Sequence, residues 1–299
     1  MKILFLVPPE TVSLESSVPK LLEGGKGYYP KLGLMYVASW YERATGRTPE
    51  FIDCPPEKMS QEALQARVRE IRPDMVAMSI MTFNLLDALA TARLLKQEHP
   101  NLKICLGGPH VNLYPRETLN LPEIDYVVFG EGEPIFTELV EALEAEGSES
   151  DRLNDITGLG WKRDGQVHVN PARTETLDLN TLPFPARHLV DVTKYEHIIG
   201  EGQQFFTIQA TRGCPAACTF CDIRQTRFRE RTPENVVAEI EQLIEMGVDD
   251  LFFVDDTITI NKRNLMALCQ LIVERGLKIN FKISVLFRCI RPLSQGYLR

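Results

Sequence analysis

The sequence predicts an α/β protein in two parts. A doubly wound, flavodoxin-like or Rossmann-like parallel-sheet domain comes first, and an incomplete β/α barrel comes after it. Three observations predict this. Residues 1–146 alternate short apolar runs with stripes of helical period, the order that builds a parallel sheet covered on both faces. Residues 147–200 lose that alternation and read as a connector. From residue 205 the strand–helix order resumes, with about two and a half units before residue 299.

In chain order, Ile3–Val7 is a continuous apolar run closed by Pro8-Pro9, as a strand buried on both faces would be. Residues 10–31 read as a loop, with Gly24, Gly25 and Gly27. Leu34, Val37, Ala38 and Tyr41 recur at helical spacing, and Gly46 supplies a C-cap. Phe51-Ile52-Asp53 is a second strand, Ser60 caps a helix running to Ile71, and residues 75–80 form a third strand. A helix over 85–98 carries the stripe Leu89, Ala92 and Leu95. Ile104-Cys105-Leu106 is a fourth strand, ending in Gly107-Gly108-Pro109. Tyr126-Val127-Val128-Phe129 is a fifth, ending in Gly130-Glu131-Gly132-Glu133 before a helix over 134–146.

Sheets of this kind bind ligands beyond the carboxyl ends of their strands, near the switch in strand order. That edge carries Pro8-Pro9, residues 79–82 with Ser79 and Thr82, Gly107-Gly108-Pro109, and Gly130, Glu131 and Gly132. Glycine there serves either a tight turn or the close approach of a ligand. Neither glycine run has the G-x-G-x-x-G spacing of a dinucleotide site.

In the connector, GSESDRLND is polar, and Leu159-Gly160-Trp161-Lys162 and residues 166–169 flank an Asp164-Gly165 hairpin turn. Trp161 belongs to hairpin packing. The segment LNTLPFPARH is an extended spacer that sets the first domain's ligand face against the cysteine cluster of residues 214–221.

A strand over 205–209 leads into ATRGCPAACTFCD, which places Cys214, Cys218 and Cys221 in C-x3-C-x2-C spacing. Four-iron clusters usually take four cysteines, so three would leave one iron open to a non-protein ligand. A structural zinc site instead wants four closed ligands in paired C-x2-C spacing, which neither His188 nor His197 completes. After an arginine-rich stretch over 224–231, Thr232-Pro233 starts a helix with apolar face Val236, Val237, Ile240, Leu243 and Ile244, ended by Gly247. Residues 251–254 form the next strand, ending in Asp255-Asp256-Thr257. A helix then runs from Asn261 to Gly276, and its stripe Leu265, Leu268, Cys269, Leu271 and Ile272 makes Cys269 a core residue; residues 281–287 are a third strand. Active sites of such barrels lie at the carboxyl ends of the strands. The tail VLFRCIRPLSQGYLR offers no helix to continue, so the barrel reads as truncated, its last strand an open edge.

Composition narrows the class. With 44% hydrophobic and 25% charged residues the chain can build real cores, and a net charge of −8 argues against a nucleic-acid backbone as partner. No run approaches the ~18–20 apolar residues of a membrane span, and MKILFLVPPE is a first strand rather than a signal peptide. Seven cysteines, three of them clustered, fit a reducing cytoplasm better than a disulfide framework. Cys54 and Cys105 read as structural.

The three-cysteine motif, with Phe220 just before its last cysteine and Thr211-Arg212-Gly213-Cys214-Pro215 leading in, resembles the radical S-adenosylmethionine (radical SAM) superfamily. The resemblance implies that Cys214, Cys218 and Cys221 hold a [4Fe–4S] cluster whose open iron binds SAM. An electron then splits the sulfonium to a 5′-deoxyadenosyl radical. It further implies a partial barrel of six units, SAM contacts from Phe220, Arg231, Asp255 and Asp256, and an electron donor such as a flavodoxin or ferredoxin.

The first domain resembles the cobalamin (B12)-binding domain that precedes many radical SAM cores. The matching features are the Pro-Pro-ended strand, the PKLGLMYVASW helix, Gly107-Gly108-Pro109-His110 and the GEGE turn. That implies cobalamin contacts from Ser79, Thr82, Gly107, Gly108, Gly130, Glu131 and Gly132. The Asp-x-His-x-x-Gly loop that ligates cobalt from below is absent, the nearest segment being Asp53-Cys54-Pro55-Pro56, so no histidine lower ligand is expected. His110 is expected to be a turn or surface residue.

The expected function is radical methyl transfer to an unactivated carbon of a small molecule. The alternatives are a cobalamin-independent radical SAM enzyme, for oxidative cyclisation or other radical chemistry, and a non-catalytic cobalamin-binding fragment. A methylthiotransferase would need three more cluster cysteines in a first domain that has Cys54 and Cys105.

Overall fold

The computed structural model describes residues 1–10, 28–195 and 204–283. Most of the expected 10–31 loop, His197, the strand beyond residue 283 and the tail lie outside the described residues. The chain forms two compact units, Met1–Leu177 with Pro183–Lys194, and Asp178–Leu182 with Tyr195–Arg299.

The first unit is built on a seven-stranded sheet. Strands β1 (Ile3–Val7), β2 (Glu50–Asp53), β3 (Met75–Ser79), β4 (Lys103–Gly107) and β5 (Tyr126–Val128) run parallel. The 2-1-3-4-5 order is flavodoxin-like, with its switch between β1 and β3. Helices α1 (Leu32–Thr45), α2 (Gln61–Ile71), α3 (Leu85–Glu98) and α4 (Gly132–Glu146) cover it. Because strand side chains alternate, β1 feeds two cores. Ile3, Phe5 and Val7 pack with Leu34, Ala38 and Tyr41 of α1 and Phe136 and Leu139 of α4. Leu4 and Leu6 pack with Leu64 and Val68 of α2 and Ala88, Ala92 and Leu95 of α3. Ser60 caps α2, its Oγ accepting the Ala63 amide at 3.2 Å, and Gly46 closes α1 in the left-handed region.

The predicted hairpin forms, as β6 (Leu159–Arg163) and β7 (Gln166–Val169), but it is not a free connector. β6 pairs antiparallel with β5, placing Trp161 opposite Tyr126, and so covers an edge that the parallel sheet would leave open. Trp161 is buried and stacks on His168 with ring centroids 5.2 Å apart. The first unit therefore runs past residue 146 to Leu177.

The second unit has a parallel three-stranded sheet, β8 (Phe205–Ile208), β11 (Asp250–Phe253) and β12 (Asn280–Ile283), with β11 central. An antiparallel two-residue ribbon, β9 (Thr211–Arg212) and β10 (Arg229–Glu230), stands between β8 and helix α5 (Pro233–Glu245) in sequence. Thr232 caps α5 by accepting the Asn235 amide at 3.2 Å. Helix α6 (Lys262–Glu274) links β11 to β12. Phe205, Phe206, Ile208, Leu251, Val236, Val237 and Ile240 are buried. The α6 stripe is shallower than its pattern suggests: Leu268 and Ile272 are buried, while Leu265, Cys269 and Leu271 are half-buried.

Candidate functional site

The cysteine loop leaves the carboxyl end of β8 and is closed at its base by the β9–β10 ribbon. Inside it, the Cys214 amide donates to Thr226 Oγ1 at 2.9 Å and the Thr226 amide donates back to the Cys214 carbonyl at 3.0 Å. The Gln225 amide reaches the Ala216 carbonyl, the Cys221 amide the Cys218 carbonyl, and Arg224 the Thr219 carbonyl at 2.8 Å. Gly213 has φ +84°, and a Cβ there would lie 2.3 Å from the Arg227 carbonyl oxygen, so only glycine passes. Cys214 is buried; Cys218 and Cys221 are half-exposed; all are free thiols. Phe220 stands 89% exposed beside Cys221. Three thiols on one pinned loop fit a four-iron cluster with one iron unclaimed. They are not converged in advance, since among the described residues no three His, Cys, Asp or Glu side chains come together as a metal site.

The acidic turn after β11 is tied to this loop. Asp255 is buried and accepts the Ala210 amide at 3.1 Å and the Thr211 hydroxyl at 2.6 Å. Burial outweighs those bonds and pushes its carboxyl up to about 6. Asp256 is exposed overall and accepts the Gly213 amide at 3.2 Å; burial of its carboxyl raises its pKa too. Thr257 is fully buried with its Oγ1 3.8 Å from Cys214 Sγ.

Arg231, expected at SAM, is committed to the fold. It is buried, ion-paired with buried Glu239, and donates to the Gln209 carbonyl at 2.8 Å and to Asn235 Oδ1 at 2.6 Å. A guanidinium without solvent access and with such partners holds the end of β8 against α5.

In the first unit, the residues expected at cobalamin gather at the carboxyl ends of β3, β4 and β5. Gly108 has φ +93°, and a Cβ there would fall 2.6 Å from Ser79 Oγ and 2.8 Å from the Ile80 backbone. Gly107 packs against the Val128 carbonyl, and the Gly130 amide donates to Asn112 Oδ1 at 2.8 Å. Gly132 opens α4, while the Glu131 carboxylate accepts the Leu177 amide at 2.9 Å and so serves the fold. His110 is not a surface residue: it is buried, its Nδ1 lies 3.0 Å from Thr82 Oγ1, and its ring contacts Tyr114. Burial lowers its pKa, which favours the neutral imidazole.

Sequence reasoning missed the apolar character of this edge. Met81 and Phe83 after β3, and Leu113 and Tyr114 beyond β4, are exposed, on two segments, a 3-10 turn over Thr82–Asn84 and a short helix over Pro109–Leu113, that meet at the Thr82–His110 contact. Apolar residues at the carboxyl ends of strands, where polar turn residues are usual, were the available signal. A glycine-floored, apolar-rimmed strand edge fits a corrin.

Known proteins resemble this chain. Residues 21–140 match the B12 binding domain family and residues 208–293 the radical SAM superfamily. The chain is 33% identical over 95% of its length to an uncharacterized methyltransferase of Pyrococcus horikoshii, covering 60% of that protein. It is 32% identical over 84% of its length to the anaerobic magnesium-protoporphyrin IX monomethyl ester cyclase of Cereibacter sphaeroides, covering 41% of it. Its fold matches the cobalamin-dependent S-adenosylmethionine radical enzyme OxsB, with TM-score 0.72, 17% identity, 94% of this chain and 38% of that one. The chain thus spans about 60% or less of these relatives. Among the described residues no helix is long and apolar enough to cross a membrane.

Proposed function

The chain belongs to the radical SAM superfamily, with a B12-binding domain ahead of the radical SAM domain, and from that premise we propose that it works as a cobalamin-dependent radical SAM methyltransferase. The observation that carries the reading is the cysteine loop: three free thiols, pinned at the carboxyl end of β8 beside the acidic turn of β11. Cys214, Cys218 and Cys221 would hold the cluster, and the strand edge at Gly107, Gly108 and Gly130 would hold the corrin. When bound, these groups supply a 5′-deoxyadenosyl radical from SAM and a transferable methyl group. The protein's own work is placement. Asp255 fixes the start of the loop through Ala210 and Thr211. Asp256 keeps its outer face open toward a cationic amino group, and Phe220 offers an apolar surface beside Cys221. Ser79, Thr82 and the exposed Met81 and Phe83 keep water from the corrin edge.

The substrate in this reading is a small molecule with an unactivated carbon, the reductant a flavodoxin or ferredoxin, and the compartment the cytoplasm, where free thiols and the cluster survive. Anaerobic reconstitution with iron and sulfide, and then EPR with and without SAM, tests the core claim. A reduced four-iron signal that shifts on adding SAM is expected, and absence of a cluster overturns the reading. Retention of added cobalamin through gel filtration, with the spectrum of a corrin lacking a histidine ligand, tests the first domain. Failure to retain it favours cobalamin-independent chemistry.

A further inference from the structure

Thr257 sits where the acidic turn meets the cysteine loop, and neither the cofactor contacts nor the fold account for its hydroxyl. It is fully buried, with 0% exposure. Its Oγ1 donates to the carbonyl of Asp256 and lies 3.8 Å from Cys214 Sγ. A threonine hydroxyl has one proton to give. With Cys214 as a thiol the arrangement is satisfied, because the thiol donates to Thr257 and Thr257 to the carbonyl. A metal-bound thiolate has no proton, so the sulfur and the Asp256 carbonyl then compete for the single donor.

We propose that Thr257 is a positioning residue for the cluster: once Cys214 is a thiolate ligand, the Thr257 hydroxyl turns from the Asp256 carbonyl to the Cys214 sulfur. The charged sulfur is the stronger acceptor, since hydrogen bonds to ionised groups are roughly twice as strong as neutral ones. The switch has two consequences. The hydrogen bond stabilises the extra negative charge of the reduced cluster and raises its reduction potential. The Asp256 carbonyl then loses the Thr257 hydroxyl as its donor. The inference rests on the reading that Cys214 holds an iron.

The test compares the reconstituted full chain with Thr257→Val, which keeps the shape without the hydroxyl, Thr257→Ala, and Thr257→Ser, which keeps the hydroxyl. The readout is the midpoint potential of the cluster by EPR-monitored titration. The expected result is a lower midpoint potential in the valine and alanine variants, hence a smaller reduced fraction at any fixed poise, with serine restoring the wild-type value. Equal potentials in all four proteins would overturn the proposal. If valine and alanine fail to load a cluster while serine loads one, the hydroxyl is needed even for assembly, which supports it. If serine also fails, the threonine methyl group is what matters and the proposal falls. Absence of a cluster in the wild-type protein would instead strike the functional reading itself.

Discussion

The two units solve the same problem, holding a large cofactor at the ends of parallel strands, by different means. In the first unit the candidate site is made mainly of backbone. Gly108 adopts φ +93° with the Ile80 backbone where its Cβ would be, and every strand beneath it is covered on both faces. In the second unit the site is made of side chains, three thiols on a loop whose shape depends on a ribbon, a glycine and bonds to Thr226, Asp255 and Asp256. A backbone cradle is rigid because its strands are packed. A thiol site is defined by the chemistry of its donors and can adjust when the metal arrives. The difference predicts which changes each site tolerates.

The largest effect is expected at the thiols. Cys218→Ala should remove essentially all of the four-iron EPR signal and the matching iron content, because it leaves the loop two thiols for a cluster that needs at least three. Cobalamin retention should stay at the wild-type level. A cluster that survives the loss of Cys218 would break the distinction, by showing that the loop is not the donor.

Next is the ion pair beneath the loop. Arg231→Met breaks the ion pair with Glu239, whose side chain is fully buried, and breaking such a pair costs about 3–5 kcal/mol. A urea titration should show the fall in midpoint, and the double variant Arg231→Met, Glu239→Leu should recover much of it. If Arg231→Met instead unfolds normally but loses the SAM-induced EPR shift, Arg231 touches SAM rather than serving the fold.

The backbone cradle should fail more gently in stability and completely in binding. Gly108→Ala forces a side chain into the left-handed region and against the Ile80 backbone, a strain of about 1–3 kcal/mol. Cobalamin retention should fall sharply while the cluster signal stays. Unchanged retention would mean that the corrin does not rest on β4.

What the sequence disclosed obeys the same division. Side-chain sites announce themselves, so Cys214, Cys218 and Cys221 stand out by spacing, and β1 by its unbroken apolar run. The caps at Ser60 and Thr232 are legible because they are local. The errors lie where the deciding partner is far along the chain. His110 is buried by Thr82, 28 residues away, and the β6–β7 hairpin belongs to the first sheet because β5 needs an edge partner. Arg231, expected at SAM, is ion-paired with Glu239 on the next helix. The glycines of the cradle are visible as residues, but whether each serves a turn or a close approach depends on which backbone lies opposite.

The smallest expected effect concerns pH and has opposite signs in the two units. In the first, a hydrogen bond from Arg47, helped by the chain's amino terminus, holds the Glu144 carboxyl down at about 2. Its stabilisation is therefore complete above the ordinary carboxylate range, about 4.3, and is lost as pH falls toward 2. The side chain is partly open to solvent, so the effect should stay below about 1 kcal/mol. In the second unit burial raises Asp255 to about 6, so the folded form binds the proton more tightly than the unfolded chain does. That unit should lose stability as pH rises from about 4 to 6 and level off above. Urea midpoints of the cluster-free protein between pH 3 and pH 7 measure both slopes. Glu144→Gln should flatten the acid limb and leave the decline between pH 4 and 6 in place. A variant that flattens both would show that the decline between pH 4 and 6 does not come from Asp255.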